Sequence, residues 1–234
     1  MRLPTSNKLL LAGLFTGLAA ASIALAADIW ASPDFMQWEE KDTRKLLSNS
    51  PWAAEYAIPD PSAGKASAAG SVGASGGSMG RGQIPLQTFT VMWRSATPIK
   101  RALVRLMSPD GLSPAAQEFL DREEPDYVVG VAAVKEFFGP IPTDADVLKS
   151  YASLEIKGQP AREPEGVTLQ DDQTGVSINY QFSRDNPITV DDKDVEFIFQ
   201  MPRAAGEDGK TPKPLMIKRK FSLKNMMFDG KLEL

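Results

Sequence analysis

The sequence predicts an α+β fold: an antiparallel sheet with helices on one face, preceded by a short helical N-terminal unit and a flexible linker. Three observations carry this. The last third alternates apolar and polar residues in three separate runs. The middle holds segments in which a hydroxyl residue and a proline precede helically spaced apolar residues. A Gly/Ala/Ser run divides the chain.

The alternating runs are the clearest. Val176, Ile178, Tyr180 and Phe182 alternate with Ser177, Asn179, Gln181 and Ser183. Val195, Phe197, Phe199 and Met201 repeat the pattern, and Leu215, Ile217, Phe221 and Leu223 stand against Lys218, Lys220 and Ser222. Each is a strand with one apolar face, and together they predict an antiparallel sheet wetted on one side. Ala204 to Pro214, with Gly206 and Gly209, reads as a hairpin loop. Upstream, Leu86 to Trp93 reads as a strand with Phe89, Val91 and Trp93 on one face, and Tyr127 to Val134, apolar on both faces, as a buried central strand.

Thr97-Pro98 opens a helix with Ile99, Ala102, Leu103 and Leu106 on one side, and Ser113-Pro114 opens another to about Asp121. Thr143 with Asp146 resembles a capping box before Val147, Leu148 and Tyr151. Near the start, Ser32-Pro33-Asp34 predicts a helix running to Leu47 or Ser48, where Ser50-Pro51 stops it.

Four regions follow: a signal peptide (1–26), an N-terminal helical unit (27–60), a linker (61–83) and an α+β domain (84–234). Arg2 and Lys8 precede an apolar run from Leu9 to Ala26, and Ala24-Leu25-Ala26 is a small-x-small cleavage site. The expectation is cleavage before Ala27 and a periplasmic or secreted mature protein with no transmembrane segment. Within the linker, 17 of the 21 residues from Ser62 to Gly82 are Gly, Ala or Ser, a composition that buries no core. Its glycines are not a phosphate loop, because the Gly-Lys-Ser/Thr ending is missing.

Composition excludes several kinds of chemistry. The chain has no cysteine and no histidine, which removes disulfides, thiolate nucleophiles, Ser-His-Asp triads and His-rich zinc sites. Removing residues 1–26 takes away Arg2 and Lys8 and no acid, leaving 24 of the 26 basic side chains against 30 acidic ones. That balance argues against nucleic acid as a partner.

The remaining candidates are few. Asp191, Asp192 and Asp194 lack the alternation and glycine of a calcium loop and read as a solvated turn, as do Asp171 and Asp172 before Thr174-Gly175. Ser222-Leu223-Lys224 has the wrong spacing for a Ser-Lys hydrolase. No catalytic residue, cofactor or metal is indicated. The candidate ligand-binding residues are Arg94, Lys100 and Arg101 with Lys218 and Lys220, a basic set (extended by Arg105 and Arg219) for an acidic partner. Trp38, Leu46, Leu47 and Trp52 form an apolar group that either docks on the main domain or hooks a partner.

Three stretches resemble an uncharacterised family of exported proteins from soil bacteria. They are Trp38-x-x-Lys41-Asp42-x-x-Lys45-Leu46-Leu47-x-x-Ser50-Pro51-Trp52-Ala53, then Trp93-Arg94-Ser95-Ala96 followed by Pro98, and the end, Lys220-Phe221-x-Leu223-Lys224-x-Met226-x-Phe228-Asp229-Gly230-Lys231-Leu232-Glu233-Leu234. Some relatives stand beside proteins named for a Gly-Trp-x-Thr-Asp motif, which is absent here. The resemblance implies export and an envelope role and supplies no catalytic residues. The functional expectation is an exported non-enzymatic binding or structural protein whose partner is a protein or an acidic envelope polymer. The alternative is a carboxylate-based hydrolase acting on an envelope polymer.

Overall fold

The computed structural model describes residues 29–32, 34–59, 86–133, 141–172, 175–202 and 214–234. The expected signal peptide, the Gly/Ala/Ser run and most of the Ala204–Pro214 loop lie outside the described residues.

The chain is α+β, with its strands in two main sheets. Strands β1 (Asn49–Ser50), β2 (Ala53–Pro59), β3 (Leu86–Trp93), β4 (Tyr127–Ala133), β6 (Gly166–Asp172) and β7 (Gly175–Phe182) form a six-stranded sheet in the order β1-β2-β3-β4-β7-β6. Strands β5 (Ala152–Ile156), β8 (Asp194–Met201) and β9 (Leu215–Ser222) form a three-stranded sheet with β8 in the middle. All pairings are antiparallel. A two-residue turn, Asp229-Gly230, with φ of 48° and 75°, joins the short pair β10 (Met227–Phe228) and β11 (Lys231–Leu232). Positive φ at both positions is what such a hairpin demands, and Asp-Gly supplies it.

Two expectations are corrected. The strands at 176, 195 and 215 do not share one sheet: β7 pairs with β4, while β8 and β9 build the second sheet. That second sheet covers the aromatic part of the first sheet's inner face. Tyr180 meets Phe197 and Phe199 with ring centroids 6.1 and 6.2 Å apart, and Trp93 meets Phe221 edge-on at 5.3 Å. Both sheets carry wide aromatic faces, and stacking them buries both at once. The region from 27 to 60 is likewise not only helical, because β2 runs beside β3 from Ala53↔Met92 to Pro59↔Leu86.

The helices are α1 (Glu40–Ser48), α2 (Thr97–Met107), α3 (Pro114–Asp121) and α4 (Ala145–Lys149). The first begins later than Ser32-Pro33-Asp34 suggests: a single 3-10 turn at Phe35–Gln37 intervenes, and Trp38 and Glu39 are extended. Thr43 then bonds back to the Glu39 carbonyl at 2.8 Å. Ser113 caps α3 by accepting from the Ala116 N–H. The cap of α4 is Asp144, not Thr143, because its carboxylate reaches the N–H groups of both Asp146 and Val147. Helix α1 packs on α2 and on β2 and β3, while α4 lies against β6. No helix among the described residues is long and apolar enough to cross a membrane.

Candidate functional site

The site begins at the turn leaving β3. The Trp93 side chain is fully buried, and the residue's backbone N–H donates to the Trp52 carbonyl at 2.8 Å. The N–H of Arg94 donates to the Val128 carbonyl at 2.7 Å, and the Ser95 hydroxyl accepts from the Val128 N–H at 3.0 Å. The turn is therefore fastened to β4 by both partners, and the Arg94 side chain lies along the outer face of the six-stranded sheet. That face is opposite the aromatic one, since Ser177 and Asn179 alternate on β7 with the inward Ile178 and Tyr180.

Gly130 of β4 makes this path possible. A Cβ there would stand 2.7 Å from Arg94 Cδ and 2.7 Å from Asn179 Oδ1. Arg94 Nη1 donates to the Ser177 hydroxyl at 3.1 Å, and that hydroxyl donates to Asn179 Oδ1 at 3.2 Å. Arg94 forms no ion pair among the described residues, and its Nε–Nη2 edge has no partner there. Burial pushes the guanidinium below its ordinary value. A desolvated guanidinium whose side-on fork is unengaged among the described residues is suited to an oxyanion.

The other basic candidates are placed elsewhere. Lys100 is 4% exposed, and its Nζ donates to the carbonyls of Leu120 (3.2 Å) and Arg122 (2.6 Å), the end of α3. It fastens one helix to another and is a structural residue. Arg101 lies between the rings of Phe35 and Phe228, 5.7 and 5.0 Å from their centroids, and Arg105 donates to the Trp38 carbonyl. Lys218 and Lys220 are exposed on β9, alternating with the inward Ile217 and Phe221. They and Arg94 thus face opposite sides of the stacked sheets and make no common patch. Lys220 is paired with Asp194 at 3.0 Å. Strand β9 is an edge of its sheet, where lysines discourage pairing with another chain.

The apolar group is core. Trp38, Leu46 and Trp52 are at most 3% exposed and belong to the cluster that includes Trp93 and Phe221, with Leu47 half-buried against it. Trp30, which sequence reasoning passed over, meets Trp52 edge-on at 5.3 Å. It borders an open cleft of about 920 Å³ shared with Asp42, Lys45, Asn49 and Lys224.

The carboxylates offer less. Glu155 and Glu196 face each other across the β5–β8 pair, in an open cleft of about 740 Å³ that also holds Lys157, Lys193 and Lys220. Asp192 is engaged in a capping box with Thr189. Among the described residues, the two carboxyls displaced from their ordinary range, Asp146 and Asp194, are both lowered, by hydrogen bonds from Lys149 and Lys220. A general acid needs the opposite shift. Among the described residues, no group of three or more acidic side chains is placed to hold a metal ion.

No protein-family model, curated protein or solved structure matches this chain, so the functional reading rests on the chemistry of these side chains.

Proposed function

We propose that the chain is an exported cell-envelope protein that binds an acidic partner, a protein or an envelope polymer, without catalysing a reaction. The observation that carries this reading is Arg94: a partly buried guanidinium, held by Ser177 and balanced by no carboxylate among the described residues. Leaving such a charge unpaired is costly unless a ligand supplies the counter-charge. The export half of the reading rests on Arg2, Lys8, the apolar run to Ala26 and the Ala24-Leu25-Ala26 site. The hydrolase alternative gains no comparable support, because the displaced acids are lowered.

The test has two arms. N-terminal sequencing of the native protein is expected to begin at Ala27. The mature protein is expected to bind an anionic envelope polymer with an affinity that falls as salt rises. Intact Met1 on the membrane-bound protein contradicts the first arm, and salt-independent or absent binding contradicts the second.

A further inference from the structure

Resting on that binding reading, we infer that the outer face of β4 and β7 holds a carboxylate of a uronic-acid polymer, gripped side-on by Arg94 beside Ser177 and Asn179. The fork is specific. Nη1 is spent on the Ser177 hydroxyl, and the remaining Nε–Nη2 edge presents two parallel donors, the geometry that a planar carboxylate accepts. One guanidinium balances one negative charge. A terminal phosphate monoester, which is nearly doubly charged at neutral pH, would stay partly uncompensated.

The surroundings favour a sugar acid over an acidic peptide. The outward residues of β7 are Ser177, Asn179 and Gln181, all neutral, and Gln181 donates to Thr168 of β6 at 3.2 Å. This is a row of hydroxyl and amide groups of the kind that meets sugar hydroxyls. Peptides commonly join a sheet along a free strand edge, but β4 and β7 are interior strands with their backbone edges already paired.

The experiment measures binding of the mature protein to three probes: polygalacturonate, polyglutamate and polyphosphate. It is repeated with Arg94→Lys and Asn179→Asp. Lysine keeps the charge and loses the fork. Aspartate places a carboxylate beside Arg94 within the chain and competes for it. Wild type is expected to prefer polygalacturonate, with each substitution weakening that binding roughly tenfold or more, the scale of one charge-assisted hydrogen bond. The thermal midpoint of Asn179→Asp is expected to hold or rise, which separates lost binding from lost folding. Polygalacturonate binding unchanged in both variants overturns the inference and leaves the binding reading standing. Tighter binding of polyphosphate or polyglutamate overturns the uronate assignment. If wild type binds none of the three at low salt, the binding reading itself fails.

Discussion

The indole N–H of Trp52 donates to the main-chain carbonyl of Glu233 at 2.8 Å, closing 181 residues of sequence. The Glu233 carboxylate in turn accepts from the backbone N–H of Thr97 at 3.0 Å and from its hydroxyl, so that it sits at the first turn of α2 where negative charge is favoured. The backbone N–H of Trp93 donates to the Trp52 carbonyl, and Arg101 of α2 covers Phe228. Residues from 38–53, 93–98 and 220–234 therefore meet at one junction, where their buried members hold the fold together. Arg94 points away from that junction, onto the outer face of β4 and β7.

Trp52→Phe keeps most of the apolar contact and leaves the Glu233 carbonyl without its donor. The expected cost is about 1–3 kcal/mol, the range for a buried acceptor left unsatisfied. Urea melts of the mature protein and the variant measure it, and coincident curves would show that the bond contributes nothing.

Trp38→Ala is expected to cost about 3–5 kcal/mol, as for other large buried aromatics. Trp38→Phe is expected to cost much less, because the indole Nε1 of Trp38 is buried without a hydrogen-bond partner and nothing is orphaned by its removal. Thermal midpoints give both values. An unshifted midpoint for Trp38→Ala would mean that this face is exposed to a partner.

Lys100→Met removes the donor to the carbonyls of Leu120 and Arg122, and α3 is expected to loosen first, read as faster amide exchange over residues 114–121. The pH dependence has a definite sign. Burial, opposed chiefly by Glu124, holds the Lys100 amine below its ordinary value. The unfolded chain therefore keeps this proton to higher pH than the folded one. Between the lowered folded value and the ordinary value of about 10.4, stability rises with pH on account of this group. In Lys100→Met that rise disappears, so the stability gap between wild type and variant widens at alkaline pH.

Lys218→Ser with Lys220→Ser is expected to leave polygalacturonate binding close to that of wild type, because these lysines face away from Arg94. The variant is expected to aggregate more readily, since β9 loses the charges on its free edge. Binding assays and light scattering report the two outcomes. Loss of binding would return these lysines to the ligand site.

Much of the fold is legible in single segments. Strands β3, β7, β8 and β9 follow from alternation, β4 from an apolar run, and helices α2 and α3 from proline-opened helical spacing, because those signals are local. The sheet arrangement is not local. Between β7 and β8 the chain changes sheets through residues 183–193, where Ile188 is buried and its N–H donates to the Tyr127 hydroxyl. Alternation on either side of that crossing is identical whether two strands are neighbours or stacked. Strand β2 was missed because Ala53–Pro59 has small residues at several positions, and its strand character comes from its pairing with β3. Of the site, Arg94 is visible as a basic residue after Trp93. Its partners Ser177 and Asn179 depend on the β4–β7 register and on the space above Gly130, which no spacing rule conveys.

The most direct measurement is a titration of the mature, isotope-labelled protein with a short galacturonate oligomer, followed through backbone and arginine side-chain resonances. Shifts are expected to concentrate at Arg94 Nε, Gly130, Ser177 and Asn179, with little change at Lys218 and Lys220. Shifts centred on β9, or on the cleft beside Trp30, with Arg94 unmoved, would contradict that expectation.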